Sequence, residues 1–157
     1  MSKFIFLIII FITTTTISEE YTWEQTFVVD NLGEIVITDS SKFNIFSLKG
    51  HWTDNFGNFG KIKCFGSRSV IGETLLSLDS VCEREAKEGF FIWTKGSRDE
   101  TALQAGVGKT KIIAATGKWE ALVGTDCKYA VSLFRDSARV KAICNISKNL
   151  YNLLNEG

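Results

Sequence analysis

Two pairs of cysteines constrain this chain more than any other feature, because each pair sits evenly about a turn signal. Cys64 and Cys82 are equidistant from Glu73, inside Ile71-Gly72-Glu73, and Cys127 and Cys144 flank the Arg135–Asp136 step evenly. In an antiparallel hairpin, residues equidistant from the turn face each other across neighbouring strands. Side-chain parity agrees for the second pair. Cys127 alternates in step with Tyr129, Val131 and Leu133, and Cys144 with Val140 and Ala142. The spacing predicts Cys64–Cys82 and Cys127–Cys144 disulfides, with four buried free thiols or another pairing as the alternatives. A closed loop of this length is worth roughly 3 kcal/mol in the chain-entropy picture. No Cys-x-x-Cys is present, so the expected role is structural rather than redox.

The rest of the chain reads as short strands between turns. EIVIT, GFFIWT and TKIIAA are strand-like, and 127–134 and 139–145 alternate cleanly. Asp30–Gly33, the region His51–Phe59, Gly124–Asp126 and Arg135–Ala138 read as turns. Gly117–Val123 alternates with Trp119, Ala121 and Val123 together, which predicts another strand. Phe43 and Ile45 fall on one face but Phe46 and Leu48 on the other, predicting a bulge near Ile45–Phe46 or a strand apolar on both sides. The tail SKNLYNLLNEG fits a short amphipathic helix carrying Leu150, Leu153 and Leu154. No segment is long enough for repeated crossover helices, so parallel α/β folds are excluded. The expectation is all-β: a single antiparallel β-barrel of about eight strands, with a two-sheet β-sandwich as the alternative. The chain has 13 glycines and no proline, so its turns rely on Gly, Asn and Asp.

Residues 1–18 read differently. Lys3 precedes an unbroken apolar run, Phe4–Ile12, followed by TTTT. That run is about half of a membrane span but fits the apolar region of a signal peptide. The expectation is a leader over 1–18, one domain over 19–157, and a secreted or periplasmic protein with no membrane span after leader removal. Export also suits disulfides. With 157 residues, 18 basic against 18 acidic, no electrostatic footprint for nucleic acid appears.

Chemistry is sparse. His51 is the only histidine, in a turn-like context, so a histidine zinc site is excluded by count. The carboxylates around Glu83–Glu88 mix with Arg84 and Lys87 as a solvated segment would. Ala105-Gly-Val-Gly-Lys-Thr110 lacks the first glycine of a phosphate loop, because Leu103 stands there. No catalytic set, metal site or cofactor is implied. Asn145-Ile146-Ser147 fits a glycosylation acceptor. The aromatic content is more suggestive. Trp23, Trp52, Phe91, Trp93, Trp119 and Tyr129 are candidates to line an apolar cavity, since an eight-stranded barrel either packs solid or holds one small ligand.

Gly117, Lys118, Trp119, Gly124 and Tyr129, in ATGKWEALVGTDCKY, together with Gly106–Gly108 and Cys82 before Gly89, carry a resemblance. The stretch from about Cys64 to Cys144 resembles small exported proteins with allene-oxide-cyclase-like or dirigent-like barrels. The resemblance implies an antiparallel barrel with an apolar cavity. The acidic stretch of that group is replaced here by EREAKEG, and no catalytic residue carries over. Three functional readings follow: a noncatalytic exported barrel binding a small apolar ligand or a protein partner, an isomerase or cyclase acting on a hydrophobic substrate, and a structural envelope-associated protein without a ligand.

Overall fold

The computed structural model describes residues 18–156. The expected leader lies outside them but for Ser18, which opens the first strand. Eight strands run in chain order: β1 (Ser18–Val36), β2 (Ser41–Asp54), β3 (Phe59–Ile71), β4 (Thr74–Ala86), β5 (Phe91–Ala102), β6 (Ala105–Ala115), β7 (Asp126–Phe134) and β8 (Ser137–Ser147). Each pairs antiparallel with its sequence neighbour, and β1 pairs with β8, so the sheet closes as a barrel. The barrel expectation holds and the sandwich alternative falls. Closure satisfies every edge without a second sheet.

Strict alternation is what lets these sequences form a barrel. In β8 every second residue from Ala138 to Ile146 is buried and those between are exposed. Both cysteine pairs face each other in register and are bonded, Cys64–Cys82 and Cys127–Cys144. Each bridge therefore staples neighbouring strands inside the lumen. Replacing either pair by alanine is expected to cost about 3 kcal/mol, read as a lowered midpoint in urea unfolding.

Several boundaries differ from the sequence expectation. Asp30–Gly33 is not a turn: β1 continues through it, and the chain reverses between Val36 and Ser41. The pairing steps from Asn31↔Phe46 to Gly33↔Ile45, leaving Leu32 as an extra residue. The parity change seen at Ile45–Phe46 thus has its irregularity on the facing strand. β2 itself is apolar on both sides, with Phe46 buried and Ile45 exposed. Gly117–Leu122 is a 3-10 helix, not a strand. Gly117 adopts a φ of +62°, which breaks the extended run. The three-residue spacing then turns Trp119 and Leu122 inward together.

The barrel has two unlike ends. The connections after β2, β4, β6 and β8 lie at one end, where the 3-10 helix and a C-terminal helix, α1 (Lys148–Glu156), pack across the opening. Leu154 of α1 is buried, and Tyr151 meets Phe56 at 4.8 Å between ring centres. Leu150 is half-buried and Leu153 exposed, so the helix shows one apolar edge. Four hairpin turns form the opposite rim. Among the described residues no helix is long and apolar enough to cross a membrane.

Candidate functional site

The lumen divides into a packed half and a hollow half. In the packed half, Tyr21, Trp23, Trp52, Trp119 and Leu122 are essentially buried. Trp52 meets Trp119 edge-on at 6.2 Å, and Trp119 meets Phe90 in the same way at 6.1 Å. Arg84 is buried among them, its guanidinium carbon 4.0 Å from the Trp23 ring centre and 5.9 Å from that of Trp52. All three of its side-chain nitrogens lack a hydrogen-bond partner. Burial pushes its pKa down to about 10, against the pull of Tyr21 and Asp54. Indole faces partly replace the lost hydration. The nearby carboxylate is already engaged: Asp54 accepts from the Phe56 and Asn58 amides, from the Asn58 side chain and from the Tyr21 hydroxyl at 3.3 Å. Burial raises the Tyr21 hydroxyl well above its ordinary pKa.

Toward the hairpin rim the packing opens into a cavity of about 100 Å³. Phe46, Leu48, Val131, Leu133 and Val140 supply its apolar wall, and Trp23 and Cys82 also line it. Gly96, on an inward position of β5, lines it without a side chain. Gly66, inward on β3, lets Phe46 lie close, since a Cβ there would meet that ring at 2.7 Å. Gly108 lies opposite Tyr129, and any Cβ there would overlap that ring. Tyr129 leans across it and donates to the Ser97 carbonyl at 3.3 Å. Burial raises its pKa, so it is held as a neutral phenol.

Two arginines enter the same cavity, Arg68 from β3 and Arg98 from β5. No carboxylate is among the residues lining it. The polar remainder is Gln25, Ser80, Thr94 and Thr110. Burial lowers the pKa of both guanidiniums. At Arg98 the Tyr129 hydroxyl opposes the shift and the Arg68 charge adds to it, while at Arg68 the Glu34 carboxylate opposes it.

The six aromatic candidates are therefore not brought together. Trp23 and Tyr129 line the cavity. Trp52 and Trp119 belong to the packed plug beneath it. Phe91 and Trp93 lie outside the barrel, because Ile92 and Thr94 take the inward phase of β5. They stack on each other at 5.5 Å, and Trp93 Nε1 donates to Glu83 at 2.9 Å. Arg68 and Arg98 escaped the search for chemistry, yet the signal was present. Arg68 alternates in step with Ile62, Cys64 and Val70, and Arg98 with Ile92, Thr94 and Gly96.

A wider groove of about 980 Å³ runs over the outside of the sheet past Lys49, His51 and Lys61. It faces solvent, and two of its basic groups are engaged: Lys63 bonds Glu83 at 2.8 Å and Arg139 bonds Glu24 at 2.7 Å. The partly open lumen cavity is the stronger site, since it combines apolar walls with a few convergent polar groups.

No family model and no curated protein matches this chain. Among solved structures, it is similar to the crystal structure of a beta-barrel like protein from Acinetobacter baumannii AYE. The TM-score is 0.64 at 10% identity, covering 85% of this chain and 99% of the other. That likeness establishes the barrel fold alone.

Proposed function

We propose that this protein is an exported, noncatalytic barrel that holds a small, largely apolar molecule in the hollow half of its lumen. The observation that carries the reading is the cavity of about 100 Å³ beneath the hairpin rim, walled by Phe46, Leu48, Val131, Leu133 and Val140. A dry cavity of roughly 150 Å³ takes a benzene ring; this one is smaller but partly open, so a single ring is the upper bound on its occupant. Export rests on the leader-like Phe4–Ile12 run and on two disulfides, which persist in oxidising compartments. An isomerase or cyclase of the allene-oxide-cyclase or dirigent kind draws no support from Tyr129, whose hydroxyl is donated to a carbonyl and whose burial disfavours the phenolate a base would need.

Toluene is the simplest probe, because it carries no charge. Saturable binding is expected by ligand-observed NMR. Gly96 is the place to block it. A Cβ there meets the Ser80 hydroxyl at 3.1 Å and otherwise finds room. Gly96→Leu should fill the cavity and reduce toluene affinity at least tenfold while the barrel stays folded. Failure of the native chain to bind toluene would overturn the reading.

A further inference from the structure

We infer that the occupant of the lumen is an acid: a compact apolar molecule whose single carboxylate is seated between Arg98 and Arg68. The inference rests on the carrier reading above and names the chemical class of its ligand.

Arg98 is the carrying observation. It is 3% exposed, and its Nε and Nη1 are buried without a partner. One nitrogen, Nη2, donates to the Leu103 carbonyl at 3.3 Å. A guanidinium presents five N–H groups in a fixed fork, and leaving them dry and unpaired is costly. Arg68 stands beside it in the same row of the sheet. Arg68 pairs with Leu78, and Leu78 pairs with Arg98. The two backbones are thus two strands, about 10 Å, apart, and both side chains enter one cavity. The Nε of Arg68 is also buried and unpartnered, and its guanidinium lies 5.8 Å from the Phe46 ring centre. A buried guanidinium beside a half-buried one, both with unpartnered donors, is an arrangement that one anion relieves twice.

The chain's own anions do not fill that role. Glu34 faces Asn44 at the rim, next to Arg68 in register, but its oxygens accept from Asn44 at 2.8 Å and Lys42 at 3.1 Å. Tyr129 gives its hydroxyl to Ser97. Gly106 lets Arg98 lie close against β6: a Cβ there would come within 3.1 Å of Arg98 Nη1 and overlap the Thr101 side chain. A carboxylate can take two parallel N–H bonds from such a fork. The small cavity then limits the body behind it to one ring or a short acyl chain, as in benzoate or hexanoate, and excludes a long fatty acid.

The test compares benzoate with benzamide, a neutral molecule of the same shape, by titration calorimetry on the disulfide-bonded chain at pH 7. Benzoate is expected to bind at least tenfold more tightly. Arg98→Gln should abolish that preference, and Arg98→Lys should retain it only in part. Lys42→Gln, which changes an exposed charge at the rim, should leave the preference unaltered. Equal affinity for benzoate and benzamide, with toluene still bound, would overturn the acid and leave the apolar carrier standing. Absence of binding by all three would overturn both. The benzoate-to-benzamide comparison uses the native chain, so it decides the matter even where an arginine variant does not fold.

Discussion

Gly50→Ala is expected to lose about 3 kcal/mol or more of folding stability, far beyond the usual effect of one methyl group. β1 and β3 flank Gly50, which pairs with Phe27 on one side and Ile62 on the other. β1 passes so close that a Cβ would overlap the Thr26 carbonyl. A carbonyl in a ladder cannot swing aside as the tip of a flexible side chain can, so the strand itself must shift. Gly60 on β3 repeats the situation against the Glu85 carbonyl. These two inward glycines let neighbouring strands approach closely. Gly33 is the internal control. Nothing lies within 4 Å of its Cβ position, and Gly33→Ala should change stability by less than about 0.5 kcal/mol. Urea unfolding of the three variants measures the contrast; a Gly50→Ala protein as stable as Gly33→Ala would disprove the crowding.

Trp119→Ala is the second large effect, at about 3–5 kcal/mol. Trp119 is fully buried and closes the end of the barrel beneath Trp52 and Phe90. Its removal leaves a void bounded by rings that have little freedom to collapse, because Arg84 and Trp23 already fill the next layer. The near-UV circular dichroism of the packed half should weaken and the urea midpoint should fall. Trp119→Phe should recover part of the loss, since an aromatic edge is restored. If Trp119→Ala and Val123→Ala cost the same, the plug has been misassigned, because Val123 is exposed.

The staples and the barrel were legible because period-two alternation and turn symmetry are local properties. Cys127 and Cys144 could be paired by counting from Arg135–Asp136, and the closed sheet confirms the count. What local reading missed was the side of the sheet on which each residue falls relative to a common axis. Trp93 and Arg98 belong to one strand and differ in parity, so one is outside and the other inside. Aromatic character alone pointed to Trp93, whereas the lumen holds the arginine. Gly117–Leu122 misled for a related reason: its alternating pattern also satisfies a three-residue repeat, and only the left-handed Gly117 and the space at the barrel end select between them. The expected turn at Asp30–Gly33 failed because the same residue types serve a bulge.

The pairing order also sets how the chain must assemble. Seven of the eight strand contacts join sequence neighbours, and both disulfides lie within such hairpins. The remaining seam joins β1 to β8, with Ser18 opposite Ser147 and Val28 opposite Ser137. Oxidation can therefore proceed in isolated hairpins before the ring is shut, and no covalent link guards the last joint. Until that joint forms, β1 and β8 are bare edges able to add to another copy. With no proline in the chain, no prolyl isomerisation delays the closure. The vulnerability of this protein in folding is thus concentrated in time, at the moment before its first and last strands meet.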